Sequence, residues 1–290
     1  MEKKLTTQGP KNRKSYTVTL PIEWIKNQKL DKNKQVELTI VSDRIIISSQ
    51  KHESQRAIID EKDYPDVLIK VLQIYYRKGF DELKIFIHSP QSIAKIAQIM
   101  EKHMIGFEII EQKKEYIIIK DITKDSSDEF NIVLRRVFLL LLEFFEASES
   151  AEIDSLDRNI SRLVNYCQRI IIKRGHVQYA DTPLLFMMLD RLEKLKDEFV
   201  WLLGPALHKK QSVYIKELHT LLRTAYELFY TFDPQKYSSG QNRTYLLKHK
   251  ILREEKSASN MHIHNSMRIL NSLYADIYAV KCSTSERLKN

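Results

Sequence analysis

Lys11, Arg13 and Lys14, with Lys3 and Lys4 upstream, form a cationic run that leads directly into the hydroxyl-rich stretch Ser15-Tyr-Thr-Val-Thr-Leu20. Phosphate oxygens are held by cations and short hydrogen-bond donors, and Ser15, Thr17 and Thr19 are of the second type. This set reads as a surface for double-stranded DNA. The alternative is a solvated basic tail, and the pattern that follows Ser15 argues against it.

A second set lies far downstream. Glu193 and Asp197 stand four residues apart, so a helix presents both carboxylates on one face, with Asp190 three residues before Glu193. Hard divalent cations require more oxygens than one helix supplies, so Glu152, Asp154 and Asp157 are the candidates from a second helix. Asp154, Glu193 and Asp197 are therefore the candidate metal ligands. Lys194 and Lys196 interleave the carboxylates, and plain ion pairs at helical spacing account for the same pattern. A divalent metal is thus an optional cofactor, and none is required.

Between Glu143 and Asp157 six carboxylates occur with no cation, which fits an acidic face or a helix start favoured by the macrodipole. His262 and His264 are two residues apart and fall on different faces of a helix, a poor ligand pair. The nine histidines are scattered, and no nucleophile, base and orienting group fall into one constellation. The chain is not expected to be an enzyme.

These side chains must be positioned by elements legible in the hydrophobic pattern. Tyr16, Val18 and Leu20 alternate as in a half-buried strand, and Pro21 opens a short helix to about Gln28. Val36, Leu38 and Ile40 form one strand and Arg44 to Ser48 another, joined by a turn at Ser42-Asp43. A unit of this size carries too little apolar surface to fold alone, since domains below ~40 residues need metals, disulfides or oligomerisation. It holds no cysteine, so a core shared between two chains is the expected solution.

Residues 51–124 alternate between strand and helix. Strands are expected at Ala57–Ile59, Leu83–Ile87, Phe107–Glu111 and Tyr116–Lys120. Helices are expected over Val67, Val71, Ile74 and Tyr75 and from Gln91 to His103. No glycine-rich turn follows any of these strands, which leaves a nucleotide-type phosphate cradle without support. From residue 125 onward the pattern is helical, with apolar faces beginning at Phe130, Ile153, Leu185, Tyr214 and Ile263 and a weaker helix from Asn242 to Lys256. Breaks are expected at Gly175-His176, Asp181-Thr182-Pro183, Gly204-Pro205, Asp233-Pro234 and Ser238-Ser239-Gly240. Asp181 or Thr182 is the expected cap before Pro183.

Apolar residues make up 43% and charged residues 29% of the 290, a globular and not a disordered balance. The net charge is +9, and residues 1–50 hold ten Lys and Arg against five Asp and Glu, so more than half of the excess sits in the first sixth. Two isolated cysteines, Cys167 and Cys282, fit a reducing compartment. The N-terminus lacks the apolar core of a signal peptide, and Val137 to Phe145 is too short for a bilayer that needs ~20 residues. A cytoplasmic protein without membrane insertion is the expectation.

The run Ser15-Tyr-Thr-Val-Thr-Leu-Pro-Ile-Glu-Trp-Ile-Lys26, then Leu30-Asp-Lys32, Val36-Glu-Leu38 and Asp43-Arg-Ile-Ile-Ile47, resembles the AbrB/MazE/SpoVT family of swapped-hairpin DNA-binding domains. The resemblance implies that two chains interlace into one barrel and that the basic N-terminal loop and first strand meet DNA. Where that family commonly has adjacent glycines, this chain reads Gly9-Pro10-Lys11. The remainder resembles archaeal PhoU-type phosphate uptake regulators, which carry the same head. The match rests on Gly79-Phe80-Asp81, Ile105 to Glu111, Leu134-Arg-Arg136, Glu152 to Asp157 and Arg191 to Asp197. It implies carboxylate pairs that hold divalent metals, although Ser272 stands where a second pair, with Asp276, would have its glutamate. The expected architecture is multidomain α+β: a swapped-hairpin β-barrel head (1–50), a small α/β middle layer (51–124) and an all-α PhoU-like bundle (125–290). The expected function is a homodimeric transcriptional regulator of phosphate uptake or homeostasis, with a phosphate transporter subunit as a further partner. The alternative is an accessory protein that does not bind DNA and regulates such a transporter or a signalling partner through its helical domain.

Overall fold

The computed structural model describes residues 2–10, 13–41, 44–49, 54–123, 129–174, 181–204, 213–254 and 257–285. The chain is mixed α/β and divides into two compact units, Met1–Glu53 and Ser54–Asn290.

The first unit holds two antiparallel strand pairs and two short helices. Strands β1 (Thr6–Gln8) and β2 (Ser15–Thr17) form one pair, and β3 (Glu37–Val41) and β4 (Arg44–Ser48) the other. Helices α1 (Ile22–Asn27) and α2 (Leu30–Asn33) lie between them in sequence. Pro21 occupies the capping position ahead of α1 and not its first turn, because its backbone is extended. The expected turn at Ser42-Asp43 lies outside the described residues. β1 was not foreseen, since Thr-Thr-Gln carries no apolar alternation.

The second unit begins with a four-stranded sheet of order β5-β6-β8-β7, built from β5 (Arg56–Asp60), β6 (Glu82–Phe86), β7 (Phe107–Gln112) and β8 (Tyr116–Asp121). β5 runs parallel to β6 across helix α3 (Leu68–Arg77), which the chain needs as a crossover, and the remaining pairs are antiparallel. Helix α4 (Pro90–His103) connects β6 to β7. Ile59, Leu83, Ile85, Phe107, Ile117 and Ile119 face the core, whereas Ile58 and Ile110 are exposed. The core face of α3 is Leu68, Leu72 and Tyr76, one residue on from the expected Val67, Val71, Ile74 and Tyr75.

Helices α5 (Glu129–Glu143), α6 (Ser150–Arg174), α7 (Thr182–Leu203), α8 (Val213–Tyr230), α9 (Pro234–Ile251) and α10 (Ala258–Ser285) complete the unit. α6 packs on α3 and α4 on one side and on α5 and α7 on another, so the sheet layer and the helices share one hydrophobic core. Asp181 stands before α7, but in helical backbone and without a side-chain bond to the helix's first amides. Asp233 does cap α9, its carboxylate accepting from the Lys236 amide at 2.7 Å. α9 then runs through Ser238-Ser239-Gly240, which was expected to break it. The glycine serves a close helix crossing instead. A Cβ there would sit 2.3 Å from the ring of Tyr274, which is fully buried and donates its hydroxyl to the Leu221 carbonyl. Gly240→Ala is expected to lower stability by about 1–3 kcal/mol through overpacking, although alanine is the better helix former. Chemical denaturation of the two proteins measures it, and an unchanged or raised midpoint would show the crossing to be loose.

Arg169 of α6 ties the helices to the sheet layer. Its side chain is 1% exposed, and all five N–H groups find oxygens. Nη1 donates to the Tyr76 and Phe80 carbonyls, each at 2.8 Å. Nε and Nη2 donate to Asp121 Oδ2 at 3.2 and 2.6 Å, and Nη2 also reaches Asp81 at 3.3 Å. The Tyr76 and Phe107 rings lie 5.0 and 5.1 Å from the guanidinium carbon. Lys173, one turn on, donates to Asp81 at 2.6 Å. Gly79, at φ 89°, ends α3 so that Phe80 and Asp81 turn toward this guanidinium.

Candidate nucleic-acid interface and carboxylate cluster

The basic loop is carried by the β1–β2 pair, with Thr6 opposite Thr17 and Gln8 opposite Ser15. Gly9 leaves β1 at φ 100°, where a Cβ would stand 2.4 Å from the Arg13 carbonyl oxygen, so one glycine suffices to start this turn. The Arg13 amide closes it on the Pro10 carbonyl at 2.9 Å. Arg13, Lys14, Ser15, Thr17 and Thr19 are all exposed, and Lys11 lies outside the described residues. Neither Arg13 nor Lys14 enters an ion pair among the described residues, which leaves both charges available to an anion. The hydroxyls differ. Ser15 donates to the Gln8 carbonyl at 3.3 Å and Thr17 to the Thr6 carbonyl at 3.2 Å, so each must exchange a long, exposed bond to donate to phosphate.

This unit buries almost nothing. Leu30 is its single buried apolar side chain among the described residues. In the β3–β4 pair, Leu38 stands opposite Ile47 and Ile40 opposite Ile45, so these four share one face. Leu38, Ile40 and Ile45 are 60%, 77% and 65% exposed. A two-stranded hairpin is at best marginal in water without a covered apolar face.

In the second unit, Glu193 and Asp197 are brought together with Asp157 of α6 around the ammonium of Lys196, whose side chain is 6% exposed. Nζ lies 2.7 Å from Asp157, 3.2 Å from Glu193, 2.7 Å from Asp197 and 2.9 Å from Ser161 Oγ. Asp154, one turn earlier on α6, is exposed and takes no part in this cluster. Burial disfavours the charge on Lys196, but Glu193 and the bonds to Asp157 and Asp197 outweigh it and raise its pKa. Burial pushes the Glu193 carboxyl up against the pull of Lys196 and Ser161, and its Oε2 has no hydrogen-bond partner among the described residues. The centre between these carboxylates thus holds a cation supplied by the chain itself. Lys194 is spent on Asp190 at 2.7 Å, and Asp276 on Arg191 across α7 and α10.

The acidic stretch before α6 is used locally. Glu152 accepts from the Ser148 and Glu149 amides at 2.6 and 3.2 Å, reaching back to the chain ahead of the helix as the glutamate of a capping box does, and Glu143 pairs with Arg136 at 2.8 Å. His262 bonds Glu198 at 2.8 Å and stacks on Trp201, whose side chain stays 65% exposed. Arg169 and Lys196, the two basic side chains that organise the unit, were not among the expected site residues. A buried Arg has no mark in a single sequence, while Lys196 showed itself only as a charge between carboxylates.

No family model matches the chain, and neither a curated protein nor a solved structure matches it. Among the described residues no helix is long and apolar enough to cross a membrane.

Proposed function

We propose that this chain is a homodimeric, cytoplasmic DNA-binding transcriptional regulator whose first unit pairs with that of a second copy and binds duplex DNA. The observation that carries the reading is a basic, exposed loop borne on a unit with one buried apolar side chain among the described residues and a face on which Leu38, Ile40 and Ile45 are exposed beside the half-buried Ile47. A unit so poor in core gains one from a twin, and pairing doubles the cationic loops presented to a duplex. The helical unit would sense phosphate status or a transporter subunit; the link to phosphate uptake rests on the resemblance of residues 79–197 to PhoU-type regulators.

Gel retardation on duplex DNA tests the reading. With ~6 phosphates neutralised per dimer, log affinity should fall against log salt with a slope near −5. Arg13→Ala with Lys14→Ala should weaken binding to all sequences alike and flatten that slope, with the dimer retained in sedimentation. Absence of any retardation at ~50 mM salt would instead assign the protein to the accessory class that acts on a transporter without DNA.

A further inference from the structure

A cavity of about 490 Å³ opens where α4 ends, β7 begins and α6 passes beneath them, within the range that small-molecule sites occupy. Its floor is apolar, with Met100, Met104 and Phe107 all buried. Two charged side chains border it, Glu101 of α4 and Arg162 of α6; Glu108 of β7 reaches it by its backbone, since strand alternation turns its carboxylate to the face opposite Phe107. Neither Glu101 nor Arg162 forms a hydrogen bond or ion pair among the described residues, although opposite charges border one space. The Nε–H of Arg162 is moreover buried without an acceptor, a state that costs free energy until an acceptor arrives.

The three features together select a ligand class. A simple anion would satisfy Arg162 but meet the Glu101 carboxylate, and a simple cation would satisfy that carboxylate but meet Arg162. A purely apolar molecule would leave the buried N–H unanswered. A zwitterion with an apolar body answers all three. We propose that this cavity binds a free α-amino acid with an apolar side chain. Its carboxylate takes the Arg162 guanidinium, its ammonium the Glu101 carboxylate, and its side chain the floor of Met100, Met104 and Phe107. The site joins the sheet layer to α6 inside the second unit, so it stands whether or not the first unit binds DNA.

Isothermal titration of the full chain with L-leucine, L-methionine and L-phenylalanine tests this. Glycine, isocaproate (leucine without its ammonium) and isoamylamine (leucine without its carboxylate) serve as comparisons. At least one of the three amino acids should bind saturably at millimolar concentration or below, and each comparison compound should bind at least about tenfold more weakly. Arg162→Met and Glu101→Gln should each cost about tenfold or more by removal of a charged hydrogen bond. Ala97 lies on the exposed rim of the cavity, so Ala97→Trp should block binding while the circular-dichroism melt stays unchanged. The proposal is overturned if none of the three amino acids gives saturable heat. It is equally overturned if isoamylamine matches the amino acid and ignores Arg162→Met, which defines a cation site. Isocaproate that matches it and ignores Glu101→Gln defines an anion site and overturns it too.

Discussion

Arg169→Met is expected to cost about 3–5 kcal/mol, the usual consequence of removing one partner from a buried ionic network. The substitution nearly keeps the volume but strands the Asp121 carboxylate, 4% exposed, and the Tyr76 and Phe80 carbonyls that the guanidinium had satisfied. In a unit of this length that corresponds to a fall on the order of 10 °C in the thermal midpoint. Arg169→Lys should recover little, because one ammonium has neither five donors nor a planar face to lie between Tyr76 and Phe107. A melt followed by far-ultraviolet circular dichroism measures both. A loss below about 1 kcal/mol for the methionine variant would mean that the sheet layer and helices hold together by apolar packing alone.

The double substitution Ile40→Asp, Ile45→Asp should act elsewhere, on assembly. The two residues face each other across the β3–β4 pair and are 77% and 65% exposed, so in a lone chain the change costs little. In a shared core it buries four unpaired carboxylates per dimer, and the dimer should give way to monomer in sedimentation velocity. DNA affinity should fall on the order of 100-fold or more as the two basic loops cease to act together. Ser48→Asp, on the opposite face of the same hairpin, is the control and should leave both unchanged. A double variant that stays dimeric would place the contact between copies on another surface, and with it the reading of the first unit would fall.

The elements themselves were largely legible. Five helical faces and strands β6, β7 and β8 follow from period alone, because their apolar residues recur in one phase and bury in that phase, whereas β2, β3 and β4 follow from the same alternation with their apolar residues left largely exposed, Tyr16 and Val18 of the expected half-buried strand among them. β5 was read shorter than it is, and β1 has no apolar residue to announce it. The face of α3 was misplaced by one residue for a physical reason. Val67 to Tyr76 is apolar at eight of ten positions, so two faces a residue apart fit the pattern equally, and the sheet above decides between them. α9 was read too short since Ser-Ser-Gly is a breaker on local grounds, while the Tyr274 ring demands a residue without a side chain at that crossing. The candidate sites were legible as residue types but not as environments. Arg13 and Lys14 are exposed as their charge requires, whereas the occupation of the carboxylate cluster by Lys196 depends on how α6 meets α7, which no local pattern encodes.

The two tryptophans fall one to each unit, Trp24 in α1 and Trp201 in α7 beside His262. Intrinsic fluorescence is therefore a two-channel reporter. With Trp201 replaced by phenylalanine, emission follows only the environment of the small β-rich unit as copies associate or dissociate. With Trp24 replaced instead, the same instrument follows the large unit, so assembly and helical unfolding can be timed separately without an added dye.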